Sequence, residues 1–284
     1  MKPLLTLIFI GLACTSSFSQ ENGAYTIFDS KGKKVKYSKM LKALDASQII
    51  LFGEYHDNPI AHWLQYEVTA TLLKTNKLVL GSEVIEADNQ DELNRYLSGE
   101  IDDEALDTLA RLWPNYKTDY KPLVDLAKDN KLVFVAANVP RRYAQMIFNG
   151  GFEVLDTLPA EEKAWIAPLP ILYNPELPGY VEMLSMMGGH GGENLPKAQA
   201  IKDATMAHFI LANYSPEQTF IHYNGAYHSN NYEGILWYLK QAKPDFVYVT
   251  ISTVSQADVS KLEDENKGLA DFIICVDENM TSTH

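Results

Sequence analysis

Hydrophobic residues along the chain gather in short continuous runs, and several runs stop abruptly at a polar cluster. The runs at 47–52, 77–80, 131–137 and 219–224 read as buried strands of a parallel sheet, because a strand covered on both faces has no polar side to show. They lead into Gly53-Glu54-Tyr55-His56, Gly81-Ser82-Glu83-Val84-Ile85-Glu86, Asn138-Val139-Pro140-Arg141-Arg142 and Gly225-Ala226-Tyr227-His228. Helical periodicity fills the intervals. Asp57-Asn58-Pro59 starts a helix over 60–75, with proline in its first turn, and further helices are expected from Asp88 or Asn89, over 102–111, over 121–127, over 195–213 and over 232–242. Tyr25-Thr26-Ile27-Phe28-Asp29 and Lys33-Lys34-Val35-Lys36-Tyr37 flank a turn and read as a hairpin, after which Ser38 caps a short helix to Leu44. Strands at 246–251 and 272–276 complete the pattern. The expected fold is α/β, with a mostly parallel central sheet flanked by helices.

Residues 153–196 differ in texture. They hold Pro159, Pro168, Pro170, Pro175, Pro178 and Pro196, together with Gly188-Gly189-His190-Gly191-Gly192, and show no strand alternation. They are expected to form a mostly helical lid inserted into the domain, with a mobile glycine loop around His190.

Two copies of Gly-x-x-His at matching strand exits carry the chemistry. In an open α/β sheet ligands bind outside the carboxyl ends of the strands, so Glu54, His56, Glu83, Asn138, Arg141 or Arg142, and His228 should share one rim. Two imidazoles with carboxylates suit a divalent metal held by His56, His228, Glu54 and Glu83, or a general base oriented by an acid; an arginine suits a carboxylate or an oxyanion. Taken singly, each of these residues is equally at home as a capped or solvated strand end.

The N-terminus adds a compartment. Met1-Lys2-Pro3 followed by the apolar residues 4–13 is too short for a comfortable bilayer span and reads as a secretory signal peptide over 1–19, with a single domain over 20–284. Cys14 offers a lipid attachment instead. Loss of Lys2 with the leader takes the formal charge from −13 to −14, which disfavours nucleic acid and anionic membranes as partners. Only Cys275 then remains, so no intrachain disulfide is possible.

With these residues in view, the chain resembles the ChaN-like, haem-binding-uptake branch of the Tiki superfamily, which also takes in erythromycin esterases and TraB proteins. The resemblance rests on 52–59 with His62 and Gln65, Ser82-Glu83-Val84, 88–90, 96–100, 113–120 with Pro122-Leu123, Asn138-Val139-Pro140-Arg141, Ala198-Gln199 with 203–207, and 225–228. It covers most of the chain beyond the leader. The resemblance implies a periplasmic or membrane-tethered protein of haem or iron uptake, with a pocket completed by dimerisation. It also implies a tyrosine as axial ligand, with Tyr173 and Tyr180 as the candidates, and Arg141, Arg142 and His62 as groups for the propionates. The wider superfamily implies a hydrolase in which His56 or His228 activates water, Glu54 and Glu83 orient that base or hold a metal, and Arg141 steadies an anion. This chain departs from the family's pattern at Ala61-His62, where two histidines are usual, and at Tyr227, which is bulky where the family is small. Three readings therefore stand: a haem or iron-ligand binder, a metal- or histidine-dependent hydrolase, and a non-catalytic scaffold.

Overall fold

A computed structural model describes residues 23–186 and 192–284; the leader, Cys14 and His190 lie outside the described residues. Seven strands form one sheet in the order β1-β7-β6-β2-β5-β3-β4, where β1 is Tyr25–Asp29, β2 Ile49–Glu54, β3 Leu78–Glu86, β4 Val133–Asn138, β5 Thr219–Gly225, β6 Tyr248–Gln256 and β7 Phe272–Asp277. Only the pairing of β1 with β7 is antiparallel. Ten α-helices among the described residues accompany it: α1 Tyr37–Asp45, α2 Pro59–Leu72, α3 Gln90–Leu97, α4 Asp103–Leu109, α5 Lys121–Asp129, α6 Arg141–Gly150, α7 Ala160–Lys163, α8 Pro178–Met186, α9 Asn194–Asn213 and α10 Ile235–Ala242.

The continuous apolar runs follow from cover on both faces. Ile50, Phe52, Leu80, Ile221 and Tyr223 pack with Leu64, Val68, Leu93 and Val124 of α2, α3 and α5 on one side. Ile49, Leu51, Val79 and Phe220 pack with Met206, Ala207, Ile210, Ile235 and Leu239 of α9 and α10 on the other. The chain skips a place between β2 and β3, and β5 later fills that slot. Both Gly-x-x-His turns thereby leave neighbouring strands, with Gly53 opposite Asn224 and Glu54 opposite Gly225.

The expected hairpin is reduced to a single bridge between Phe28 and Lys34, because the second run bends into α1. Lys36, with no side-chain bond, occupies the N-cap of α1 in place of Ser38. Asn58 does cap α2, its side chain accepting from the Ala61 amide, with Pro59 at the first helical position. Residues 153–186 are less helical than expected: a 3-10 turn (Phe152–Thr157), the four residues of α7, an irregular stretch over 164–177 rich in proline, and α8. Leu155, Leu158 and Ile166 pack on Tyr143, Ile147, Ala198 and Ile201 of α6 and α9. No helix among the described residues is long and apolar enough to cross a membrane.

Candidate functional site

Glycine is required in both turns by close approach. A Cβ on Gly225 would lie 2.8 Å from both Cε1 and Nε2 of His56, and one on Gly53 would lie 2.8 Å from the Ile251 carbonyl oxygen and 2.9 Å from the Ala226 Cα. The first motif's histidine thus rests on the second motif's glycine.

His56 belongs to a network on the α2 and α5 side of the sheet. Its Nδ1 stands 3.0 Å from Oε1 of the buried Glu54, which also receives the Tyr120 hydroxyl at 2.5 Å and, on its other oxygen, the Gln65 amide. The carbonyl of His56 accepts from Asn115 Nδ2 at 2.6 Å and lies 3.1 Å from His62 Nε2. His62 is buried beneath the site, with Nδ1 3.4 Å from Glu54 Oε2. The His56 side chain itself is 40% exposed and meets Trp113 edge-on at 4.7 Å. Burial pulls its pKa down, but the hydrogen bond to Glu54 and the charge of Glu83 prevail, so the net shift is upward.

His228 is buried on the opposite face, between Glu83 Oε1 at 3.2 Å from Nε2 and Asp203 Oδ1 at 2.5 Å from Nδ1. The Gln199 amide lies 2.9 Å from Nδ1. Burial opposes the imidazolium, yet two carboxylates push its pKa up to about 10. Glu83 is desolvated too, but His228, His56 and the Gly225 N–H at 2.8 Å hold it well below the usual carboxylate range. Asp203 lacks such a backbone donor, and burial raises it. Glu83 thus sits electrostatically between the two histidines.

His56 pairs with Glu54 and His228 with Glu83, and no group of three or more His, Cys, Asp or Glu among the described residues is arranged to hold a metal ion. Arg142 is tied to Asp88 at 2.5 Å and stacks over Tyr143 and Trp165. Arg141 donates its backbone amide to Glu86, while its guanidinium makes no ion pair among the described residues. A cleft of about 600 Å³ lies beside His56, with Leu112, Trp113 and Pro114 as an apolar wall and Arg111, Arg141, Arg142, Glu86 and Gln145 as its polar edge. That volume is in the usual range for ligand sites, roughly 300–1,000 Å³.

The two tyrosines of the 153–196 segment fall elsewhere. Tyr180 is buried with its hydroxyl 3.4 Å from Asp203, and burial raises its pKa strongly, which opposes a tyrosinate. Tyr173 stacks on it at 5.6 Å, and neither lines the cleft. Tyr55 and Tyr227 of the motif turns are exposed, at 42% and 45%, though Tyr227 donates to the Gly179 carbonyl. The sequence reading places none of Gln65, Asn115, Tyr120, Gln199 and Asp203 at the site, although all lie in blocks that carry the resemblance. Helix periodicity hides Asp203 and Gln199 in α9, and Asn115 precedes and Tyr120 ends a π-turn (Tyr116–Tyr120) that reads only as a break.

Comparison with known proteins agrees with this architecture. The fold is shared with a structure described as cofacial heme binding to ChaN of Campylobacter jejuni, at TM-score 0.66 and 18% identity, covering 89% of this chain and 97% of that one. An erythromycin esterase mutant, EreC, in its open conformation superposes at TM-score 0.53 and 10% identity, covering 91% and 99%. In sequence, 27% of 146 residues are identical in Protein RETICULATA-RELATED 5, chloroplastic, from Arabidopsis thaliana; this is 49% of the chain but 19% of that protein's length. The family model described as haem-binding uptake, Tiki superfamily, ChaN matches residues 40–239, and the chain belongs to that family.

Proposed function

We propose that the chain binds haem at the carboxyl-end rim of the sheet, in the cleft between the Leu112-Trp113-Pro114 wall and Arg141, and serves haem or iron uptake. The observation that carries this reading is the cleft itself: an apolar wall and an arginine without an ion pair among the described residues stand next to an accessible imidazole. A haem presents a wide apolar face and two carboxylates, and this lining offers a partner for each. His56 is the residue best placed to reach the iron, since its Nδ1 is backed by Glu54 while Nε2, beside Gly225, takes no hydrogen bond among the described residues; ligating histidines are commonly oriented by such a carboxylate. Tyr173 and Tyr180 take no part in this proposal. The leader over 1–19, with Cys14 as its alternative anchor, fits export of the chain to meet its ligand. A second copy covering the exposed Tyr55 and Tyr227 would close the cleft as a homodimer.

Titration with haemin, followed by absorption, tests the reading. His56→Ala is expected to change the spectrum, Arg141→Ala to weaken binding by about tenfold through loss of a charged hydrogen bond, and Tyr173→Phe to leave both unchanged. Unaltered binding in the first two variants would overturn it. The Glu54-backed imidazole also favours a hydrolytic second reading, with water activated at His56 and Arg141 steadying the anion. Ester hydrolysis that vanishes in His56→Ala, with haemin binding weak in wild type, would select that reading.

A further inference from the structure

A second cleft, of about 350 Å³, opens on the outer side of α2. Pro59, His62, Trp63 and Tyr66 line it from α2, Pro122 from the start of α5, Thr118 and Asp119 from the π-turn, and Thr283 from the C-terminal segment. Pro59, Trp63 and Tyr66 are spaced to share one face of the helix. Trp63 is 49% exposed and Tyr66 36% exposed, an unusual cost for two large aromatics on one helix.

The floor is charged. Asp119 is buried, and its Oδ2 receives Asn115 Nδ2 at 2.7 Å and the Thr283 hydroxyl at 2.6 Å, with His62 Nε2 at 3.7 Å. Its Oδ1 takes no hydrogen bond among the described residues. No lysine or arginine lines the cleft.

We propose that this cleft is a binding site for a small organic ammonium ion. Methyl or methylene groups around a positive nitrogen pack on the faces of Trp63 and Tyr66, where the ring quadrupoles attract the charge, and the Asp119 carboxylate supplies the counter-ion. The aromatic lining offers a hydrated metal ion few oxygen ligands, and an anion would meet Asp119 head-on. The chain's formal charge of −13 draws cations toward it from a distance. The inference is independent of the haem reading, because none of these groups lines the cleft beside His56.

Calorimetric titration of the full chain with choline chloride, set against its uncharged tert-butyl analogue, tests the proposal. Choline is expected to bind saturably at one site, with the analogue at least about tenfold weaker because it keeps the shape and loses the charge. Trp63→Ala should weaken choline by about tenfold, and Asp119→Asn should abolish it. Absence of saturable choline binding, equal binding of the analogue, or undiminished binding in Trp63→Ala would each overturn the assignment. Trp63 is half in solvent, so its removal leaves the fold intact and decides the matter even if Asp119→Asn fails to fold.

Discussion

Glu83 serves both histidines, and that double duty sets the behaviour of the site. One oxygen holds His228, the other holds the Gly225 amide, and Gly225 in turn carries the ring of His56. The stability stored here depends on pH with a definite sign. His228 has a folded pKa of about 10 against 6.5 when free, so its contribution is fully present below pH 6.5 and is lost as pH rises toward 10. Breaking the buried pair by His228→Gln should cost about 3–5 kcal/mol at mildly acidic pH, because Glu83 and Asp203 are left facing each other. Urea unfolding of wild type and variant across that window should show the difference narrowing as pH rises; a difference that does not shrink would mean His228 is neutral in the fold. Gly225→Ala should displace His56 and weaken haemin binding, since the new methyl overlaps the imidazole. A haemin affinity equal to wild type would show that the ring position is immaterial.

At the level of elements, the four strand exits were legible because burial on both faces leaves an apolar run with an abrupt polar end. The order of the strands was not. Nothing in the composition of β5 tells that it slips between β2 and β3, yet this alone puts His228 next to His56. Asp203 was hidden for a related reason: α9 is buried over much of its circumference, so a polar residue among Ala200, Ile201, Ala204 and Met206 has no exposed face to mark it. Glu54 and His56 were readable because they sit at a strand exit, where polar residues have to stop the run; Glu83 lies inside β3, just past its last pairing with β5 at Ser82. The 153–196 segment reaches the His228 side of the rim through α8, which is held by the Glu233 carboxylate on the Gly179 amide at 2.8 Å and by the Tyr227 hydroxyl on the Gly179 carbonyl at 2.7 Å. Tyr227→Phe removes one of these bonds, worth about 1 kcal/mol. Amide exchange in α8 should then quicken by roughly fivefold while β5 keeps its protection. Unchanged exchange in α8 would show that the helix is docked by other contacts.

For the whole molecule, the reversed direction of β1 has a practical consequence. Tyr25 pairs with Val276 near the end of β7, so the described chain enters the sheet at the same end at which the parallel strands finish. Its other end is there too, with the Thr283 amide on the Asp57 carbonyl just past His56. The far end, where Lys77 and Glu217 form an exposed pair beside the starts of β3 and β5, carries neither end of the described residues 23–186 and 192–284. A fusion tag or a sensor surface joined at Gly23 or His284 therefore lies close to the rim proposed to bind haem. Attachment through Glu217→Cys points that edge toward solution, and in a chain starting at Gln20 the only competing thiol is Cys275, buried and pushed up to about 12. Haemin should associate faster with protein coupled at position 217 than with protein coupled at either end; equal association rates would mean that the termini swing clear of the rim.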